Sequence, residues 1–366
     1  MTVSSKIRVG LIGVGNWAEY GHLPAFKLLP DFELTAVHSR DPLKAANLAQ
    51  RHGIRFALDS VEALVNHPEV DLVVVLNTAP QHEATVRAAI AAGKDVYCEW
   101  PLTPNRAVSQ ELLELAQKAT VRHIAGLQRR LNPEYRYVHD LLSNGYIGEL
   151  RSVRLHISVE KFQQQRTAAL HFTIPPENFS SLLSIYGGHY FDALFTMLGH
   201  PTSISALTVN QFPEVTLIET GEVLKHTTAD QVVLNGTFSN GAVLTTHIEA
   251  GKRNNYGIQL DLTGTKGDIK IWNTTAFGSE FYIIEAAQGD AQPMRLLKVP
   301  PRYNWLPENS LDGSQQEMAN LYAAYAKDVR DGTHLAPTFA DALRMHDLID
   351  AIETSNRDGV RLEMVV

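Results

Sequence analysis

The chain has 366 residues, 44% of them apolar and 20% charged, which is too long for one small core and too apolar for disorder. Acidic residues outnumber basic ones 40 to 32, giving a net charge of −8, so nucleic-acid phosphates are not expected partners. The one cysteine, Cys98, cannot form an internal disulfide or a cysteine-based metal site, and the expected setting is reducing and cytoplasmic. No apolar run reaches the roughly 18 residues of a membrane span. Gly10, Gly13 and Gly15 interrupt the leader-like stretch near the start.

The first predicted element is a buried parallel strand, Ile7 to Ile12, apolar on both faces and ending in glycines. A helical pattern over Ala25 to Leu29, a strand over Phe32 to His38 and a helix over Pro42 to His52 follow. Val61 to Val65 reads as helix, Asp71 to Asn77 as strand, and Glu83 to Ala92 as an alanine-rich helix stopped by Gly93. A strand over Asp95 to Glu99, a helix over Val108 to Ala119 and the segment His123 to Gln128 close the series. Alternation at this spacing predicts right-handed crossovers and a doubly wound parallel sheet over residues 1–128.

Residues 129–366 have a different texture. Asn132 to Asn144 is helical, Gly145 to Gly148 is a turn, and Arg151 to Val159 alternates with Val153, Leu155, Ile157 and Val159 on one face. Further strands are predicted near 203–209, 231–238, 242–249, 258–263, 268–272, 281–285 and 294–299. Ser239-Asn240-Gly241 supplies a hairpin turn, and Gly264 and Gly267 flank another. Tight turns between consecutive strands predict a large, mostly antiparallel sheet. One helix runs from about Ser314 to Arg330 and stops at Gly332. A second follows Thr338, an N-cap with Asp341 three residues on, and stops at Gly359. These helices cover one face of the sheet only, so association through the other is expected. Residues 160–185 and 300–313 are expected to be loops, the first bringing Lys161, Arg166 and His171 as candidate pocket residues.

Gly13-Val14-Gly15-Asn16-Trp17-Ala18 follows the first strand and opens a helix. Gly13 allows a tight turn, Gly15 removes a side chain where a pyrophosphate approaches, and Ala18 lets the helix lie near the sheet. The helix N–H groups and dipole then face the anion. Gly13, Gly15, Asn16 and Trp17 are therefore candidate dinucleotide-binding residues. At the end of the second strand, His38-Ser39-Arg40-Asp41 places Ser39 and Arg40 where an NAD site carries an acid. A hydroxyl and a guanidinium suit a 2′-phosphate, which favours NADP, while an inward-turned Asp41 would restore NAD. The histidines are scattered, with no ligand-spaced pair beside a carboxylate on one helix, so no metal is expected.

Several motifs in order make the chain resemble the Gfo/Idh/MocA oxidoreductase family over nearly its whole length. They are the glycine turn with His22-Leu23-Pro24-Ala25, Asn77-Thr78-Ala79-Pro80-Gln81-His82, Ala92 to Leu102, Tyr146-Ile147-Gly148-Glu149-Leu150 and Gly264-Thr265-Lys266-Gly267-Asp268. The resemblance implies an α/β Rossmann domain followed by an α+β domain with a large open sheet, often buried in a homodimer or homotetramer. It also implies that Thr78, Pro80, His82 and Glu99 line the nicotinamide side, with Trp100 and Gln128 beside them. Family enzymes carry a lysine where Trp100 stands and an aspartate where Ile185 stands, four residues before His189. Indole is a donor only and does not titrate, so it cannot serve as acid or base. His189 is left as the candidate base, Lys161, Tyr190, Tyr186 and Arg130 as candidate donors, and Asp192 as a candidate orienter of the imidazole. The family's Gal80-like branch shares these departures, with Glu99-Trp100, Leu127-Gln128 and Gly188-His189 with Asp192.

Two functions follow from that resemblance. One is an NADP-dependent oxidoreductase acting on a sugar or polyol hydroxyl, with Trp100 against the pyranose face. The other is a dinucleotide-gated regulatory protein with a protein partner and little catalysis.

Overall fold

A computed structural model describes residues 6–275 and 281–364. They form two compact units, one made of the described residues up to Gln128 together with Trp305–Arg344, the other of Arg129–Asn304 and the residues from Met345 on.

In the first unit, β1 (Ile7–Ile12), β2 (Phe32–His38), β3 (Phe56–Leu58), β4 (Leu72–Val75), β5 (Asp95–Cys98) and β6 (His123–Ala125) make one sheet of order β3-β2-β1-β4-β5-β6. Every pairing is parallel. A strand covered on both faces must be apolar throughout, and all four residues of β4, Leu-Val-Val-Val, are buried. The crossovers carry α1 (Leu23–Leu28), α2 (Pro42–His52), α3 (Val61–Val65), α4 (His82–Ala91) and α5 (Arg106–Ala119). A π-helical turn, Ala18–His22, leads into α1, so the helix opened by the glycine motif winds as π before the helical pattern at Ala25. Strand order reverses between β1 and β4, which opens a crevice at the carboxyl ends of the strands.

The second unit begins with α6 (Pro133–Ser143) and β7 (Leu150–Ser158). Val153, Leu155 and Ile157 are buried and Ser152, Arg154 and His156 between them are not, as the alternation predicts, although Ser158 at the strand's end is buried as well. After β8 (Gln165–Arg166) and short 3-10 and π-helical turns comes α7 (Gly188–Leu198). Nine strands form the large sheet. With β9 (Ser203–Val209), β10 (Glu214–Leu217), β11 (Val223–Lys225), β12 (Gln231–Thr237), β13 (Val243–Glu249), β14 (Gly257–Gly264), β15 (Gly267–Asn273), β16 (Ile283–Gln288), β17 (Arg295–Leu297) and β18 (Leu362–Glu363), its order is β17-β16-β15-β14-β7-β13-β12-β9-β18. Only β7 and β13 run parallel among these pairs. β8, β10 and β11 make a separate small sheet, which the sequence reading did not anticipate. It packs over Ile174, Val215 and Leu217.

Arg166 belongs to that small sheet's core rather than to a pocket. It is 1% exposed and donates to the carbonyl of Gln163, to Thr173 Oγ1 at 2.9 Å and toward His226 Nε2. Burial lowers its pKa to about 10. His171 is exposed.

The chain then supplies α8 (Gly313–Asp331) and α9 (Phe339–Asp358). Asp312 caps α8 in a reciprocal box with Gln315. Within the first unit, Tyr322 of α8 packs its ring 4.1 Å from Phe26 and 5.7 Å from Phe32. Among the described residues no helix is long and apolar enough to cross a membrane.

Candidate functional site

A cleft of about 650 Å³ opens at the carboxyl ends of β1, β2 and β4. The glycine turn forms its floor. Gly13 has φ +102°, and a Cβ there would lie 2.9 Å from the Leu76 carbonyl carbon and 3.0 Å from the Asn77 nitrogen. Only glycine tolerates both conditions. A Cβ on Gly15 would meet nothing within 4 Å, so its missing side chain leaves open space at the cleft. Glu19 N–H donates back to the Gly15 carbonyl at 3.3 Å as the helix starts. Asn16 is exposed beside the turn and Trp17 half-buried. A turn that close to the strands, open above and followed by helical N–H groups, fits a pyrophosphate.

At the β2 end, Asp41 does not turn into the cleft. Its carboxylate accepts from Leu43 N at 3.0 Å and Lys44 N at 3.4 Å, capping α2. Its own N–H donates to Ser39 Oγ at 3.3 Å. Ser39, Arg40 and Lys44 all line the cleft. Neither the Arg40 guanidinium nor the Lys44 ammonium has an ion-pair or hydrogen-bond partner among the described residues. Lys44 was missed by the sequence reading, although its place four residues after Arg40 on the first turn of a helix was a usable signal.

At the β4 end, Asn77, Thr78 and Pro80 line the cleft. His82 does not. It is 1% exposed and braces two chain segments, with Nδ1 2.9 Å from the Pro101 carbonyl and Nε2 2.7 Å from that of Asn77. Burial lowers its pKa. Glu99 follows β5, and its Oε1 accepts from Trp17 Nε1 at 3.1 Å and from the Tyr97 hydroxyl at 2.8 Å, with His22 Nε2 at 2.6 Å. Trp100 is 6% exposed and Gln128 3%. Gln128 Oε1 is buried with no hydrogen-bond partner among the described residues.

In the second unit, α7 presents His189, Tyr190 and Asp192, all buried. Arg130, from the turn Gln128–Leu131, grips both oxygens of Asp192, with Nε to Oδ2 at 2.8 Å and Nη2 to Oδ1. Asp192 thus pairs with a guanidinium. Arg129 stacks its guanidinium 4.5 Å from the Tyr190 ring centre and donates to the Tyr282 hydroxyl at 3.0 Å. Burial, and then the charge of Arg129, push the His189 pKa well below 6.5. Its imidazole is neutral at pH 7, able to accept a proton but a weak base. Ile185 sits in the π-helical turn Leu183–Gly187 before α7. Lys161 is exposed on the segment after β7.

Residues 7–127 match the model of an oxidoreductase family with an NAD-binding Rossmann fold, and residues 133–273 match that of the Gal80p C-terminal domain. The trans-1,2-dihydrobenzene-1,2-diol dehydrogenase of Xenopus tropicalis is 31% identical over 258 residues, covering 69% of this chain and 72% of that protein. The chain belongs to the Gfo/Idh/MocA oxidoreductase family. Its first unit is that family's nicotinamide-dinucleotide domain, and its second is of the Gal80-like branch. The dehydrogenase aclE of Aspergillus oryzae is 33% identical over 232 residues, 61% of this chain and 63% of that protein, less than two thirds of its length. The structure of levoglucosan dehydrogenase in complex with NADH and levoglucosan shares the Gfo/Idh/MocA fold, with a TM-score of 0.86 and 20% identity over 99% of this chain and 100% of that one.

Proposed function

We propose that this chain is an NADP-preferring oxidoreductase acting on a CH–OH group of a sugar or polyol. The observation that carries the reading is the β2 end of the cleft, where Asp41 is spent on a helix cap and Ser39, Arg40 and Lys44 face the cavity. A hydroxyl and two unpaired cations recognise a 2′-phosphate, whereas a ribose diol wants a carboxylate. A nicotinamide nucleotide held there supplies hydride acceptance. The hydroxyl proton then falls to the chain, and His189, neutral and flanked by Arg129, is the group assigned to take it. Levoglucosan dehydrogenase, bound to NADH and a sugar in its structure, supports the substrate class. The exposed Leu207, Val209 and Val243 lie on one face of the nine-stranded sheet and are assigned to contact with a second copy.

Purified protein mixed with NADP and an aldose and polyol panel tests the reading by absorbance at 340 nm. Turnover supports it, and no change at high protein concentration refutes it. The Gal80p match of the second unit favours one other reading, a coenzyme-gated binding protein. Trp100 and Ile185 stand where proton carriers are expected, and Arg130 occupies Asp192. That reading requires NADP to raise the melting temperature without turnover.

A further inference from the structure

The proposed chemistry leaves unused a set of buried polar groups at the end of β5. Beyond its contact with Glu99, His22 meets the Tyr322 hydroxyl through Nδ1 at 2.6 Å. One neutral tautomer satisfies the whole chain, with Tyr322 O–H donating to Nδ1 and Nε2–H donating to Glu99. His22 and Tyr97 are 0% exposed and Tyr322 1%. Burial, followed by the charge of Glu99, pushes both phenols well above their ordinary range, so each is a fixed O–H donor. Oε1 of Glu99 collects all three donors, and Oε2 takes none from the described residues.

The backbone is shaped to this cluster. Trp17 and His22 are five residues apart, and α-helical winding would set them about 140° apart around the axis. The turn Ala18–His22 is π-helical, and its i→i+5 winding brings both onto the side facing Glu99. Two glycines make room. A Cβ on Gly21 would lie 2.9 Å from the Trp17 ring, and one on Gly126 would lie 2.7 Å from the Tyr97 hydroxyl and 2.9 Å from Glu99 Oε2. Neither glycine has a positive φ, so it is the missing side chain that each position uses.

We propose that His22 and Tyr322 are positioning residues for the coenzyme. Through Glu99 they tie the first turn of the glycine-loop helix to the end of β5 and so fix the N–H groups that meet the dinucleotide phosphates. This role rests on reading the cleft as the coenzyme site. Because the phosphates are common to NAD and NADP, loosening the tie weakens both alike.

Calorimetric titration of the full chain with NADP and with NAD tests it, alongside the emission of Trp17, taken as the difference from Trp17→Phe. Tyr322→Phe removes one oxygen and is expected to weaken both coenzymes about threefold to tenfold at an unchanged ratio. His22→Leu removes the donor to Glu99 and is expected to cost about tenfold or more. His22→Gln, whose amide donates near the Nε2 position and accepts from Tyr322, restores binding to within about threefold. Trp17 emission shifts in the first two variants and returns in the third. A merely structural role lowers the melting temperature and leaves affinity and emission alone, which overturns the proposal. If His22→Leu does not fold, Tyr322→Phe and His22→Gln decide. A parent chain that binds neither coenzyme overturns the reading of the cleft and this role with it. Unaltered affinity in variants of a chain that does bind overturns this role alone.

Discussion

Replacing Arg40 by alanine is expected to change which coenzyme the cleft prefers rather than whether it binds one. Arg40 and Lys44 line the β2 end, their charged groups with no partner among the described residues, so none of those residues competes for their charge. A 2′-phosphate carries roughly −1.5 to −2 at neutral pH. A charge-assisted hydrogen bond to it contributes about 1.5–3 kcal/mol, the lower end applying to side chains as exposed as these. Arg40→Ala therefore predicts an NADP affinity about 10- to 100-fold weaker, with NAD changed by less than about twofold. Adding Lys44→Ala is expected to bring the two coenzymes close to parity. Calorimetric titration with each at two salt concentrations is the assay, since screening weakens an exposed contact and the parent's preference falls as salt rises. Equal loss for both coenzymes, or a preference unmoved by salt, refutes the assignment of Arg40 to the 2′-phosphate.

Gly13→Ala puts a Cβ 2.9 Å from backbone at φ +102°, and is expected to abolish measurable coenzyme binding by calorimetry while circular dichroism keeps its shape. Arg130→Met takes the bidentate guanidinium from the buried Asp192 carboxylate and should destabilise the second unit by about 3–5 kcal/mol in urea melts, much of it recovered by adding Asp192→Leu. His82 and His189 both have pKa values lowered by burial, so below about pH 6.5 the unfolded chain binds protons that the folded one refuses. Their stabilisation is complete above that pH and is lost as pH falls, at up to about 1.4 kcal/mol per pH unit for each. Thermal melts from pH 7.5 down to 5 should show the slope, and His189→Leu should flatten it. Trp100→Lys with Ile185→Asp restores two proton carriers and is expected to raise sugar-dependent NADP reduction at 340 nm by 10²-fold or more in order of magnitude.

Elements with a clean period were legible in the sequence. β4 is a bare apolar run, and the middle of β7 alternates from Ser152 to Ile157. β8, β10 and β11 have two to four residues each, too few for any period to show. The glycine motif marked where the first helix opens, but not its winding, because a π-helical turn places its inward residues off the 3.6 spacing. Glu99 was found through its motif. What holds Glu99 was not, since Tyr322 lies 300 residues from His22 and no local pattern links them. The polar cluster on α7 was found as residues but not as pairs. Asp192 follows His189 by three positions, yet its bidentate partner is Arg130, 62 residues away. The stretch 305–344 follows the second sheet in sequence and packs with the first unit, because Tyr322 and Tyr325 complete an aromatic cluster begun by Phe26 and Phe32.

That late-arriving helix has a consequence for how the protein is made. A nascent chain emerging from the ribosome has all six strands of the parallel sheet once Ala125 is out. It still lacks α8, and Phe26, Phe32 and Tyr97 stay without the Tyr322 ring that packs against them. Nearly 200 residues must be translated before Tyr322 reaches His22, counting from Ala125. A fragment ended near Gln128 should be sticky and short-lived rather than a miniature of the finished unit.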